Sequence, residues 1–208
     1  MSSLIHRYAD LEPLSLPERF NAPTRTRNRI APLGAGDFVP EFNLPRTQFI
    51  AASSLPQDAG EQIAGRTLLG RPLVLAFISL HWNGYAQRLL QELQDLHADI
   101  QVMGGDLLVV SDEDSAGFAS LAGQQSLPFN IVWDKQHKIA SQFGVYATTD
   151  PIWDRISGVE ADVPTPAVYV LGPSGKIVFD QVDLYLEKCI PTRDLLSTVY
   201  QNKQGKAA

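Results

Sequence analysis

The chain carries one cysteine, Cys189, and no apolar run longer than PLVLAFISL, and each scarcity excludes a class of protein. A single thiol cannot close an internal disulfide, so the fold is not stapled and suits a reducing compartment. A membrane-spanning helix needs roughly 18 to 20 consecutive apolar residues, and no segment supplies them. The stretch MSSLIHRYADLEPLSLPERF has no basic leader followed by an apolar block, so no secretory signal is expected and a cytoplasmic location is the natural assignment. Positive charge is short as well: 17 Lys and Arg stand against 23 Asp and Glu, a formal net charge of -6. Binding to phosphates is driven by cationic side chains that release counterions, so neither nucleic acid nor a membrane surface is an expected partner. The local exception is TRTRNR, where Arg25, Arg27 and Arg29 alternate; such a stretch reads as solvated chain before it reads as an anion site.

Chemical motifs are equally sparse. There is no Gly-rich phosphate loop and no nucleophile with a base beside it. His6, His81, His97 and His137 lack close metal-ligand spacing, and Asp112, Glu113 and Asp114 read as the acidic start of a helix, so neither metal nor cofactor is expected.

What is present is an ordinary globular composition, 44% hydrophobic and 19% charged over 208 residues, enough for one domain with extensions. Residues 1–35 form an N-terminal extension, broken by Pro13, Pro17, Pro23 and Pro32, that is expected to lie as an arm on the domain or on a partner, with SLIHRYADL as one short helix. The domain runs from 36 to 202, and 203–208 form a flexible tail. Alternation around Phe38, Phe42 and Leu44 suggests short edge strands, and QIAGRTLLG a turn-rich connector.

From Pro72 onward, PLVLAFIS, DLLVVSD, PFNIVWD, PAVYVLG and KIVFDQVD are near-continuous apolar strands of the kind that a sheet covered on both faces requires. Between the first two, Leu89, Leu93, Leu96 and Ile100 share one helical face. DEDSAGFASLAGQQ opens a second helix, HKIASQFG ends a third on Gly144 as a left-handed cap, and PTRDLLSTVYQNKQ forms the last. LGPSGKI joins two antiparallel strands by a tight turn. The order strand, helix, strand, helix, strand, helix, strand, strand, helix implies an α/β fold with a central mixed sheet and helices on both faces.

At the junction of the first core strand and the first helix the sequence reads SLHWNGYAQ. Together with GDFVPEFNL, VPTPAVYVLGPSGKIVF and QVDLYLEKCIPTRDLL, this stretch resembles the peroxiredoxin-like branch of the alkyl hydroperoxide reductase and thiol-specific antioxidant (AhpC/TSA, redoxin) family, a thioredoxin-fold group. The resemblance runs from about Gly36 to the last helix. In that family a Trp-Cys-Pro-Tyr-Cys type motif opens the helix; here the same place holds Trp82, Asn83, Gly84, Tyr85 and Ala86. The aromatics remain and both thiols are replaced. A helix N-terminus lowers a thiol's pKa and so prepares the attacking thiolate, but an amide, a methyl group and a phenol cannot take its place. Asn83 reads as an ordinary N-cap.

The resemblance also implies a cis-proline at Pro166, preceded by Pro164, exposing backbone polar groups of Thr165 beside Trp82 and Asn83. Its implied function is therefore binding of a small molecule or an extended peptide, in a pocket formed by His81, Trp82, Asn83, Gly84, Tyr85, Trp153, Thr165 and Pro166. Asn83 and Ala86 mark the vestigial catalytic positions. Two alternatives stand beside it. One is an antioxidant oxidoreductase that uses Cys189, flanked by Lys188 and a helix start, or a cofactor or metal recruited to the vacated pocket. The other is an assembly subunit, either a homo-oligomer or one pairing with a related, active protein.

Overall fold

The computed structural model describes residues 29–52, 60–122 and 127–203, with the side chains of 119–122 left aside. The expected helix SLIHRYADL, His6, Arg25, Arg27, the GQQ end of the second helix and the tail beyond Lys203 lie outside the described residues.

Six strands form one sheet in the order β2 (Phe49–Ala51), β6 (Asn130–Trp133), β5 (Asp106–Ser111), β4 (Leu73–Ile78), β7 (Ala167–Leu171), β8 (Ile177–Val182). Its centre is β4 (Leu73–Ile78), every residue of which is buried, flanked by β5 (Asp106–Ser111) in parallel and β7 (Ala167–Leu171) in antiparallel register. β6 (Asn130–Trp133) continues the parallel half, and β8 (Ile177–Val182) closes the other side as an antiparallel hairpin partner of β7. Strands covered on both faces need apolar side chains in both directions, which is why the runs from Leu73 and from Leu107 lack alternation. β8 departs from that pattern: most of its residues are half-exposed, because it is an edge.

Two expectations change near the start of the domain. QIAGRTLLG is not merely a connector: Gln62–Ala64 is a strand, β3, followed by 3-10 turns over Gly65–Gly70. β3 pairs with β1 (Asn43–Pro45) in a separate two-stranded ladder. The edge strand of the main sheet is instead β2 (Phe49–Ala51), which pairs with β6 and carries no alternation signal. Three-residue strands are defined by their partners, not by their own pattern.

The helices divide between the faces. α1 (Gly84–Val102), α2 (Ser115–Ala122) and α4 (Thr192–Gln201) lie on one side. There Leu89, Leu93, Leu96 and Ile100 of α1 pack with Leu195 and Val199 of α4 against Val74, Ala76, Val168 and Val170. α3 (Lys138–Gln142) covers the other face, where Ile139 and Phe143 meet Phe77 and Tyr169 with Phe42 and Leu44. Asp114 caps α2 by accepting from the N–H groups of Ala116 (3.0 Å) and Gly117 (2.9 Å). Asp134 does the same for α3 from further upstream, accepting from Ile139 and Ala140. Among the described residues no helix is long and apolar enough to cross a membrane.

The described end of the N-terminal extension lies on the domain: Leu33 donates to the Phe143 carbonyl and Ala35 to the Asp180 carboxylate. This seat depends on Gly144, which ends α3 with φ of +68°, as its sequence position predicts. A Cβ there would fall 2.0 Å from the Ala31 carbonyl oxygen. Gly144→Ala is therefore expected to lower unfolding free energy by about 1–2 kcal/mol from backbone strain, with further loss as the arm is displaced. Urea denaturation measures this, and an unchanged midpoint would refute it.

Candidate functional site

β4 ends at Ile78, opposite the start of β7, so the chain turns into α1 beside the Thr165–Pro166 segment. Ser79 begins a 3-10 turn over Leu80–Trp82, and its hydroxyl accepts from the His81 N–H at 3.3 Å. Asn83 follows with φ of +54° and ψ of −133°, outside the left-handed helical region and strained for any residue that carries a Cβ, and α1 begins at Gly84.

The helix start is filled. Trp82 is 1% exposed, and its indole N–H donates to the Pro164 carbonyl at 3.1 Å. Ala86 is fully buried, and Thr165 is 1% exposed. The cavity bounded by Tyr85, Leu89, Pro166 and Asp183 measures about 10 Å³, at the lower limit for one water. Of the residues expected to line a pocket, Trp82, Thr165 and Pro166 are thus packed inside. His81, Asn83, Gly84 and Trp153 are open to solvent or nearly so, and Tyr85 is half-buried.

Asn83 occupies the N-cap position, but its side chain does not cap α1; the amide donates instead to the Gly158 carbonyl at 3.1 Å, tying the helix start to the segment between α3 and β7. Nor is Pro166 cis: no cis peptide bond occurs among the described residues. Thr165 is fixed by its own bonds, its N–H donating to the Val145 carbonyl and its hydroxyl accepting from Arg155. The trans form is the lower-energy one for an X-Pro bond, and these bonds do not oppose it.

The phenol of Tyr85 approaches the Lys188 carbonyl at 3.4 Å and faces Asp183. Burial first, then the Asp183 charge and hydrogen bond, push its pKa well above the ordinary tyrosine value. It therefore stays protonated and is no nucleophile. Asp183, 2% exposed, organises the loop after β8 by accepting from the N–H groups of Tyr185 and Lys188. This brings residues 188–190 onto α1, where Ile190 donates to Glu92. Cys189 itself is exposed and lines an open cavity of about 550 Å³ with Phe179, Gln181, Lys188 and Pro191.

The acid triplet divides. Glu113 pairs with His81 at 3.2 Å, while Asp112 turns inward and accepts the Ser79 hydroxyl at 2.8 Å. Its other carboxylate oxygen is buried without a partner. Burial pushes the Asp112 pKa up to about 6, opposed by the Ser79 hydrogen bond and reinforced by the Glu113 charge. Among the described residues no group of three or more His, Cys, Asp or Glu is placed to hold a metal.

One residue that the sequence did not single out is Arg155. Its guanidinium donates to the Asp150 carboxylate (2.8 Å) and to the Thr165 hydroxyl (2.7 Å), joining the turn around 150–155 to the residues just before β7. Beside it opens a cavity of about 950 Å³, lined also by Leu33, Val182, Tyr185 and Lys188, within the usual size of a ligand pocket. Only a lone arginine within DPIWDRISG hinted at this.

The AhpC/TSA family model matches residues 35–180. Peroxiredoxin Bcp of Escherichia coli K12 is 24% identical over 151 residues, covering 72% of this chain and 86% of Bcp. Among solved structures, peroxidoxin BcpB from Mycobacterium tuberculosis superposes with a TM-score of 0.61 at 17% identity, covering 83% of this chain and 99% of that one. A thiol:disulfide interchange protein of the DsbE type from Chlorobium tepidum gives 0.57 at 15% identity, covering 83% and 99% respectively. Sheet order, the strand-to-helix site and the extent of the match agree, and the chain belongs to the AhpC/TSA family, with a thioredoxin-like fold and no cysteine at the start of α1.

Proposed function

We propose that this protein has left the thiol peroxidase chemistry of its family and works by binding a small molecule or an extended peptide at the Thr165–Pro166 end of the sheet. The observation that carries the reading is the first turn of α1: Asn83, Gly84, Tyr85 and Ala86 offer no sulfur, and the phenol there is held protonated. A hydroperoxide is cleaved when a thiolate takes one oxygen and the alkoxide leaves; these side chains have no group to do it. Of the two original thiol positions, Ala86 is buried beside Trp82 while Asn83 stays exposed, so the binding surface consists of what remains open around the helix start. Asn83, Gly84 and Trp153 are exposed, and a cavity opens beside Arg155, which holds the Thr165 hydroxyl.

A second reading draws on the exposure of Cys189 above an open cavity, which gives an oxidant access to the thiol. One assay separates the two. Purified protein is incubated with hydrogen peroxide or cumene hydroperoxide and dithiothreitol, and peroxide loss is followed for the wild type and Cys189→Ser. The expected result is no catalysed loss with either protein. Turnover by the wild type that disappears in Cys189→Ser would replace the binding reading with a one-cysteine oxidoreductase.

A further inference from the structure

The cavity beside Arg155 is walled by segments far apart in the chain, and each wall is pinned by hydrogen bonds. One wall is the end of the N-terminal extension, where Ile30 donates to the Asp150 carboxylate at 2.9 Å and Leu33 to the Phe143 carbonyl at 3.0 Å. Another is the loop after β8, in which the buried Asp183 carboxylate accepts the N–H groups of Tyr185 and Lys188. Leu184 and Tyr185 of that loop line the cavity and stay 37% and 61% exposed. The charges along these walls divide by what already holds them. Asp150 is paired with Arg155, and Asp180 accepts the Ala35 N–H. Lys188 and Arg29 have no carboxylate partner among the described residues. The Lys188 ammonium donates to the Val182 carbonyl at 3.0 Å, which fixes it at the wall and leaves its other N–H groups for a second acceptor.

We propose that this cavity binds a compact aromatic monocarboxylate, its ring against Tyr185 and Leu184 and its carboxylate between Lys188 and Arg29. Such a ligand narrows the binding reading above and rests on it. Hydrogen bonds from an ammonium or a guanidinium to a carboxylate are the strong, charge-assisted kind, and here both donors lack an acidic partner. A tyrosine ring pairs with another ring by stacking or edge contact, and a guanidinium packs over an aromatic face, so an aromatic body uses more of this wall than an aliphatic one. The single charge follows from the acids on the same walls. Asp150, Asp154 and Asp180 also line the cavity, and a second negative charge on the ligand would add repulsion with no further unpaired cation to offset it. An amine would meet Lys188 and Arg29 directly. Because backbone bonds hold the walls before a ligand arrives, little ordering remains to oppose binding.

Isothermal titration calorimetry on the full chain with 2-naphthoate, 2-naphthamide and 2-naphthyl phosphate tests this, since the three differ in charge on one ring system. Naphthoate is expected to bind once per chain, about tenfold or more tighter than the amide, the usual worth of a hydrogen bond to a charged group. Lys188→Met should weaken naphthoate by about tenfold, and Lys188→Met with Arg29→Met should bring it down to the level of the amide. Arg66→Met, at a different cavity, should change nothing. Lys188, Arg29 and Arg66 are all exposed, and circular dichroism reports whether each variant is folded. No binding of naphthoate up to about 1 mM, an affinity of about 4 kcal/mol or less, would overturn the proposal. So would equal affinity for acid and amide, tighter binding of the phosphate, or an affinity that neither Lys188→Met nor Arg29→Met alters. Any of these results leaves the peroxide assay untouched. Turnover there that depends on Cys189 would instead defeat the binding reading itself, so the two failures are told apart.

Discussion

Arg155→Met is expected to cost about 3–5 kcal/mol of unfolding free energy, the usual loss when one partner of a buried ion pair is removed. Methionine keeps most of the apolar stem but withdraws the guanidinium from Asp150, whose side chain is only 9% exposed and then retains the Ile30 N–H as its remaining bond. The Thr165 hydroxyl loses its donor at the same time. The cost comes from a stranded carboxylate, not from the worth of the pair, so a second change should recover much of it: Asp150→Asn in the Arg155→Met background removes the charge that has no partner. Urea denaturation of the wild type, single and double variants reads this directly. A loss under about 1 kcal/mol, or no recovery in the double variant, would show that Arg155 is not what ties the turn around 150–155 to the residues just before β7. The same variant should open residues 152–163 to hydrogen exchange, because Asn83 is then left holding Gly158 without the Arg155 tie.

The second large effect concerns Asp112. Its folded pKa of about 6 lies above the ordinary value of 3.8, so between those pH values the folded chain holds a proton that the unfolded chain has released. Stability therefore falls as pH rises from about 4 to about 6, and by pH 7.5 the accumulated cost is about 3 kcal/mol, from roughly two units at 1.36 kcal/mol each. Asp112→Asn removes this dependence. The amide can still accept the Ser79 hydroxyl but places an unpaired N–H₂ where the carboxylate oxygen had no partner, which adds a constant penalty at every pH. The decisive quantity is hence the difference between variant and wild type: it should shift in favour of the variant by about 2 kcal/mol between pH 4 and pH 7.5. Denaturation midpoints at several pH values measure it, and a difference that stays flat would refute the buried-carboxylate account. The contact matters for the site because Ser79, which Asp112 holds, also receives the His81 N–H at the turn into α1.

Both effects arise at positions where local pattern is silent, and this marks the limit of what could be read from the chain. The five core strands, the buried face of α1 and the hairpin turn were legible because each is a repeated local preference: uninterrupted apolar runs for strands covered on both faces, and spacings of three and four for one helical face. The acids before α2 were legible as a group, but only Asp114 caps the helix. Asp112 and Glu113 are drawn away by Ser79 and His81, which lie more than thirty positions earlier in the chain. β2 and β3 escaped notice because three residues carry no period of their own.

The absence of sulfur at Asn83 and Ala86 was settled by composition alone, since no arrangement of this chain can supply a second thiol. Whether the space left behind is open was not. Trp82 bonded to the Pro164 carbonyl and Thr165 bonded to Arg155 close it around Ala86 while Asn83 stays exposed, and these contacts exist only once residues distant in the chain are packed together. Side-chain chemistry is a property of each residue by itself; burial and partnership belong to its neighbours in space, and these only the tertiary structure decides.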